Sequence, residues 1–334
     1  MASVGASGAS LVTGGRGFVG SWLAKGLLER GRRVISFDVA GERPRPSGLQ
    51  LLGIEDDVED ARGDLRDAEL LARTLANGDV DAVFHLAAQT IVGTAAWSPA
   101  ETFDVNVRGT WTLLEACRER GVGRVVVASS DKAYGAHEQL PYREHFALQP
   151  TAPYEASKSA ADLIARSYWH SYEVPVAVTR FANIYGGGDL NFSRLIPEAV
   201  SAAIGGRAPV IRSDGSPVRD FLYVEDAVGA YLAIAGALDR ADVRGEAFNA
   251  GGERPYAVGE VVELIARLSG SGVEPDIRGA GNPDGEIDRQ YVDATKIRER
   301  VGWSPAISLE EGLRRTIEWY RAHPEARAPA PAPA

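Results

Sequence analysis

Through its first half the chain alternates short apolar runs with stretches of helical length. Leu11–Val12 leads into a glycine-rich turn, and SWLAKGLLERG after it reads as a helix ending at Gly31. RVISFD (33–38) and VDAVFHLAA (80–88) read as strands, with a helix around 100–120. RVVVASS (124–130) is a further strand, a helix runs from about 154 to 172, and VPVAVTRFANIYG (174–186) closes the series. Strands alternating with helices of this length are βαβ units, and these assemble as a parallel sheet. Right-handed crossovers bring all the strand ends to one edge, where such sheets bind ligands. The predicted fold class is therefore α/β, a Rossmann-type doubly wound parallel sheet.

After residue 187 the texture changes. Gly and Pro become frequent, strands shorten, and helices are expected at 193–205, 225–239, 257–269 and 308–322. A length of 334 residues suits two units. Residues 1–186 are expected to hold the sheet, and 187–327 to form a smaller mixed α/β domain concerned mainly with substrate. The last stretch, 328–334, is a Pro-Ala tail that cannot build a core. The formal net charge of -10 disfavours nucleic acid as a partner. No apolar run approaches the ~20 residues that span a bilayer, and the first residues lack the positive charge of a signal peptide. A single cysteine, Cys117, cannot form an internal disulfide. The expected location is the cytoplasm, with no membrane partner. The five histidines show no metal-ligand spacing, and His85 reads as a structural residue at a strand end.

Two motifs carry chemistry. TGGRGFVG (13–20) spaces Gly14, Gly17 and Gly20 between a strand and a helix. Glycines there let the backbone approach a pyrophosphate at a helix N-terminus. Asp38, ending the second strand, suits a ribose diol and repels a 2′-phosphate, which favours NAD over NADP. Arg43 and Arg45 lie in a Pro-rich loop and read as solvated. In PYEASK (153–158), Tyr154 and Lys158 share a helix face at i and i+4. A lysine so placed can lower the phenol's pKa from about 10, so that the tyrosine serves as a base toward a substrate hydroxyl. Ser130 stands at the neighbouring strand end.

These segments, with HLAA (85–88), NVRGT (106–110), ASS (128–130) and RDFLYVED (219–226), resemble the extended short-chain dehydrogenase/reductases. The likeness is to their NAD-dependent sugar-nucleotide epimerases and dehydratases, and extends through GWSP (302–305) and TIEWY (316–320). It implies bound NAD and a nucleoside-diphosphate-sugar substrate. It assigns the cofactor to Gly14, Gly17, Phe18, Val19, Asp38, Asp64, Leu65, Leu86, Ala87, Ala88, Tyr154 and Lys158, with Asp64 toward adenine. It assigns the substrate to Gln89, Ser130, Asn183 and Arg219, the last two toward the diphosphate. It also implies a homodimer through the helices at 100–120 and 154–172.

SSDKAYG (129–135) bears on which member this is. An epimerase oxidises carbon 4 and returns the hydride. A 4,6-dehydratase must also take the proton from carbon 5 and release the carbon 6 hydroxyl as water. Asp131 and Lys132 supply an adjacent acid and base for that elimination, and SSDKAY is similar in form to the CDP-glucose 4,6-dehydratases. The catalytic set expected is Ser130, Asp131, Lys132, Tyr154 and Lys158. The alternative is an epimerase of the UDP-glucose or UDP-glucuronate type, in which the Asp131–Lys132 pair orders the loop or holds sugar hydroxyls.

Overall fold

The computed structural model describes residues 8–41, 45–281 and 287–327. The Pro-Ala tail and Arg43 therefore lie outside the described residues. Six strands form in the first half: β1 (Ala9–Thr13), β2 (Arg33–Asp38), β3 (Glu59–Arg62), β4 (Val80–His85), β5 (Arg124–Ala128) and β6 (Val176–Phe181). They pair in the parallel order β6-β5-β4-β1-β2-β3. Val125, Val126 and Val127 of β5 are fully buried, which is why the run is uniformly β-branched.

The strands are shorter than the apolar runs that announce them. β4 ends at His85, because Thr13 Oγ1 accepts the amides of both Leu86 and Ala87 at 3.2 Å and draws the chain out of the sheet. The run 174–186 splits in two, as Asn183–Tyr185 leaves β6 to pair with Phe221–Tyr223. The helix expected around 100–120 begins at Pro99 and continues to Arg120, with a π-helical segment over Asp104–Arg108. That segment places Asn106, whose amide donates to the Gln89 carbonyl and the Ser157 hydroxyl. Single π turns of this kind concentrate at functional sites.

The second half does not stay apart from the sheet. Ala247–Ala250 pairs with β6 as a seventh parallel strand. The helix Val224–Gly236 joins the core beneath β5 and β6, where Val228 and Leu232 face Gly26 of the helix Phe18–Leu28. A four-residue strand such as AFNA carries too little pattern to be read from sequence. Three further helices, Leu195–Ile204, Val258–Ser269 and Leu309–Ala322, enclose a separate core around Tyr185, Tyr223, Val261 and Leu313. This smaller unit borders the carboxyl edge of the sheet. No helix among the described residues is long and apolar enough to cross a membrane.

Candidate active site

The glycine turn forms a backbone cradle. Gly14 has φ +71, and a Cβ there would stand 2.9 Å from the Ala87 nitrogen. A Cβ on Gly20 would strike the Gly14 carbonyl. Only glycine therefore closes this turn between β1 and the helix Phe18–Leu28. Asp38 is buried at the end of β2, and its carboxylate accepts from the Arg16 and Val39 amides at 3.1 and 2.9 Å. A cradle that excludes side chains, opening onto a helix N-terminus and flanked by a buried carboxylate, fits a dinucleotide. Leu86, Ala87 and Ala88 line the adjoining strand exit. Asp64 is engaged by Arg66, whose Nε lies 2.9 Å from one carboxylate oxygen, and this holds Asp64 below the usual carboxylate range. Leu65 is buried next to it, against Gly109.

His85 is buried between Thr13 and Thr110, at 2.8 and 3.0 Å. Burial, with the charge of Lys158 adding to it, lowers its pKa to about 3. It is a neutral strut, as expected of it. Cys117 is likewise buried, and its thiol is pushed up to about 12. Among the described residues, no cluster of His, Cys, Asp or Glu could hold a metal.

Past β5 the chain turns at once into a 3₁₀ helix, Asp131–Tyr134. Ser130 caps it, accepting from the Lys132 amide at 3.2 Å. Ser130 also donates to Asp131 Oδ1 at 3.2 Å. The turn is anchored from behind. Tyr134 donates to Asn249 of the seventh strand at 2.8 Å and accepts from Arg180 of β6 at 3.0 Å. Arg180 is in turn held by Asp162 through two hydrogen bonds of 2.7 and 3.0 Å, both residues fully buried. A buried polar network with every member paired is rigid, so the acid and base stand on a fixed mount. Asp131 is 2% exposed. Burial raises its pKa to about 6, against the opposing pull of Lys132, Ser130 and Arg219.

The helix Pro153–Tyr172 carries Tyr154 and Lys158 to the same edge. The Lys158 amine donates to the Ala128 carbonyl, the last residue of β5, at 2.8 Å. Burial lowers its pKa to about 8. Tyr154 differs from the sequence expectation in one respect. Its phenol is raised, not lowered, because burial outweighs the Arg194 charge and the Ser130 hydrogen bond that act the other way. Lys158 is spent on the backbone carbonyl, and the cation that tells on the phenol is Arg194.

Four residues were assigned to substrate. Ser130 is engaged by its own turn, donating to Asp131 and accepting from the Lys132 amide. Asn183 and Arg219 come together at the small unit's edge: Asn183 donates to the Asp220 carbonyl at 3.1 Å, and Arg219 precedes Asp220. Gln89 is folded onto its own loop, exchanging hydrogen bonds with Ile91 at 2.6 and 3.0 Å. Sequence reasoning passed over Arg194, whose guanidinium is held by Asp189 at 3.0 Å. It also passed over Gln290, which is fully buried beside Lys132. Neither has a spacing signal, since each reaches the site from a distant segment.

The family described as GDP-mannose 4,6 dehydratase matches residues 11–316. A dTDP-glucose 4,6-dehydratase of Xanthomonas campestris pv. campestris is 33% identical over 328 residues, covering 93% of this chain and 92% of the relative. The solved dTDP-glucose 4,6-dehydratase of Bacillus anthracis, in complex with NAD, superposes with a TM-score of 0.84 at 31% identity. It covers 96% of this chain and 99% of that one. The UDP-glucose 4-epimerase of Thermotoga maritima, solved with UDP-glucose, gives 0.85 at 29% identity, covering 94% and 99%. The chain spans about half, 47%, of a trifunctional UDP-glucose 4,6-dehydratase, epimerase and reductase of Arabidopsis thaliana, at 31% identity.

Proposed function

This chain belongs to the GDP-mannose 4,6-dehydratase family, and we propose that it is an NAD-dependent 4,6-dehydratase of a nucleoside-diphosphate hexose. The observation that carries the reading is the buried Asp131 beside Lys132, on a turn fixed by Tyr134 and Arg180. Epimerisation at carbon 4 has no use for a buried carboxyl whose pKa is raised toward 6, where it can still carry a proton to donate. Elimination of water does.

NAD, which the glycine cradle and Asp38 would hold, would supply the hydride chemistry, accepting hydride from carbon 4 and delivering it to carbon 6. Tyr154, once ionised with the Arg194 charge acting against its burial, takes the proton of the carbon 4 hydroxyl. Ser130 donates to Asp131 and also acts on the ionisation of the Tyr154 phenol, so the oxidation site and the elimination site adjoin. Lys132 then takes the carbon 5 proton, made acidic by the new ketone. Asp131 gives its proton to the departing hydroxyl, which leaves as water, and the Lys132 ammonium returns its proton to carbon 5 as the hydride reaches carbon 6. Arg219 and Asn183 suit the diphosphate, a guanidinium being able to pair two oxygens. The panel that tests this is dTDP-, UDP-, CDP- and GDP-glucose with purified protein. A 4-keto-6-deoxy product, lighter by one water, is expected. A change at carbon 4 without loss of mass would make the enzyme an epimerase.

Asp38 belongs to the cofactor half. Asp38→Ala is expected to weaken NAD binding by about 10- to 100-fold, since hydrogen bonds to charged groups are worth about 1.5–3 kcal/mol. It should also narrow the preference over NADP. Calorimetric titration of both cofactors checks this. Tighter binding of NADP than NAD by the unmutated protein would overturn the role given to the carboxylate.

Two long helices, over 99–120 and Pro153–Tyr172, leave Phe103, Trp111, Leu163 and Tyr172 exposed. Large apolar residues repeated along adjacent helices suit a second copy of the chain. Trp111→Glu with Leu163→Glu is expected to give a monomer by light scattering where the unmutated protein is a dimer. An unchanged mass would place the interface elsewhere.

A further inference from the structure

Gln290 lies on a two-residue strand, Arg289–Gln290, that pairs in parallel with Val218–Arg219, and it stands opposite Arg219. It is fully buried. Its Oε1 lies 3.5 Å from the Lys132 amine, at the long limit of a hydrogen bond. Its Nε2 is buried and has no hydrogen-bond partner, and the same holds for Asp131 Oδ2. A buried amide donor and a buried carboxylate oxygen are rarely left unmatched. Here both flank one lysine, at the edge where Arg219 would hold the diphosphate.

The residue type matters. A lysine that must take and give back a proton needs a neighbour that accepts from its ammonium without fixing the charge. A second carboxylate in that place, added to Asp131, would further favour the charged form. A carboxamide oxygen is neutral, accepts from the amine, and leaves an NH₂ group free to donate elsewhere. Gln290 also reaches the site from the small unit, across from the 3₁₀ turn that carries Lys132. Docking of the small unit on the sheet therefore sets where the amine stands.

From this we infer that Gln290 is a positioning residue for the elimination step. Its Oε1 orients the Lys132 amine toward carbon 5, and its Nε2 faces an oxygen of the hexose. The inference rests on the dehydratase reading, and deepens it by naming what aims the base.

The test uses dTDP-glucose carrying deuterium at carbon 4, with two variants, Gln290→Met and Gln290→Glu. Reduction of bound cofactor is read by its absorbance, and water loss by product mass. Both variants should bind NAD as the unmutated protein does, which reports an intact fold. In Gln290→Met, cofactor reduction should slow by less than about threefold and release of dehydrated product by at least about tenfold, so that the reduced-cofactor absorbance builds up. Gln290→Glu keeps an acceptor oxygen but adds a charge, and should stall at the same point. If both steps slow together, or if product release stays normal in either variant, Gln290 does not position the base. If the unmutated protein returns deuterium to carbon 4 and loses no water, the dehydratase reading itself fails and this inference falls with it. The two failures are told apart by which protein misbehaves.

Discussion

Asp131→Asn and Lys132→Met should each leave an enzyme that oxidises its hexose and then stops. Neither change removes Tyr154, Lys158 or the glycine cradle, and loss of the Asp131 charge only relieves one of the influences that raise the phenol, so oxidation at carbon 4 persists. Elimination loses its proton donor in the first variant and its base in the second. A positioned acid or base contributes typically about 10²–10⁴-fold, and the release of dehydrated product should fall by that order. With a carbon 4 deuterium label, both variants should accumulate reduced cofactor. Product release at the normal rate in both would remove the pair from the mechanism. There is a pH signature as well. Asp131 can donate only while protonated, and burial has lifted its pKa to about 6. The elimination step should therefore slow as pH rises through about 6 and lose that dependence in Asp131→Asn. Burial is the largest cause of the shift, and it comes from the site's own walls, Asp131 being 2% exposed.

Tyr154→Phe should abolish both halves together. The ring stays and the packing with it, but no oxygen remains to take the proton from the carbon 4 hydroxyl. A loss of at least ~10²-fold in cofactor reduction is expected from removal of a general base, with NAD affinity and thermal stability near those of the unmutated protein. The contrast with Asp131→Asn is diagnostic, since one variant never reduces the cofactor and the other reduces it and stalls. Near-normal turnover in Tyr154→Phe would assign the base to another group. Arg194 sharpens the expectation. Its charge and the Ser130 hydrogen bond act against the burial that raises the phenol, so the tyrosine depends on a cation that the YxxxK spacing does not contain.

What the sequence determined by itself was local. Glycines at 14, 17 and 20 require a tight turn whatever surrounds them, and the β-branched run 125–127 can only be a buried strand. Tyr154 and Lys158 share a helix face by period alone. From those features came the parallel sheet, the cradle, the acid–base edge and the identity of the residues on it. The tertiary structure decided what needs distant segments to meet. Ala247–Ala250 is a strand because β6 offers it a free edge, and four residues cannot announce that alone. Lys158 turns to the Ala128 carbonyl, and the phenol is governed by burial and by Arg194, because electrostatics depends on which groups share a cavity and not on how far apart they lie in the chain. The Asp131–Lys132 pair was legible as a pair. That Arg180, Asp162 and Asn249 hold its turn, and that Gln290 stands against the amine, follows only once residues 46, 115 and 158 positions away are packed into one water-poor site.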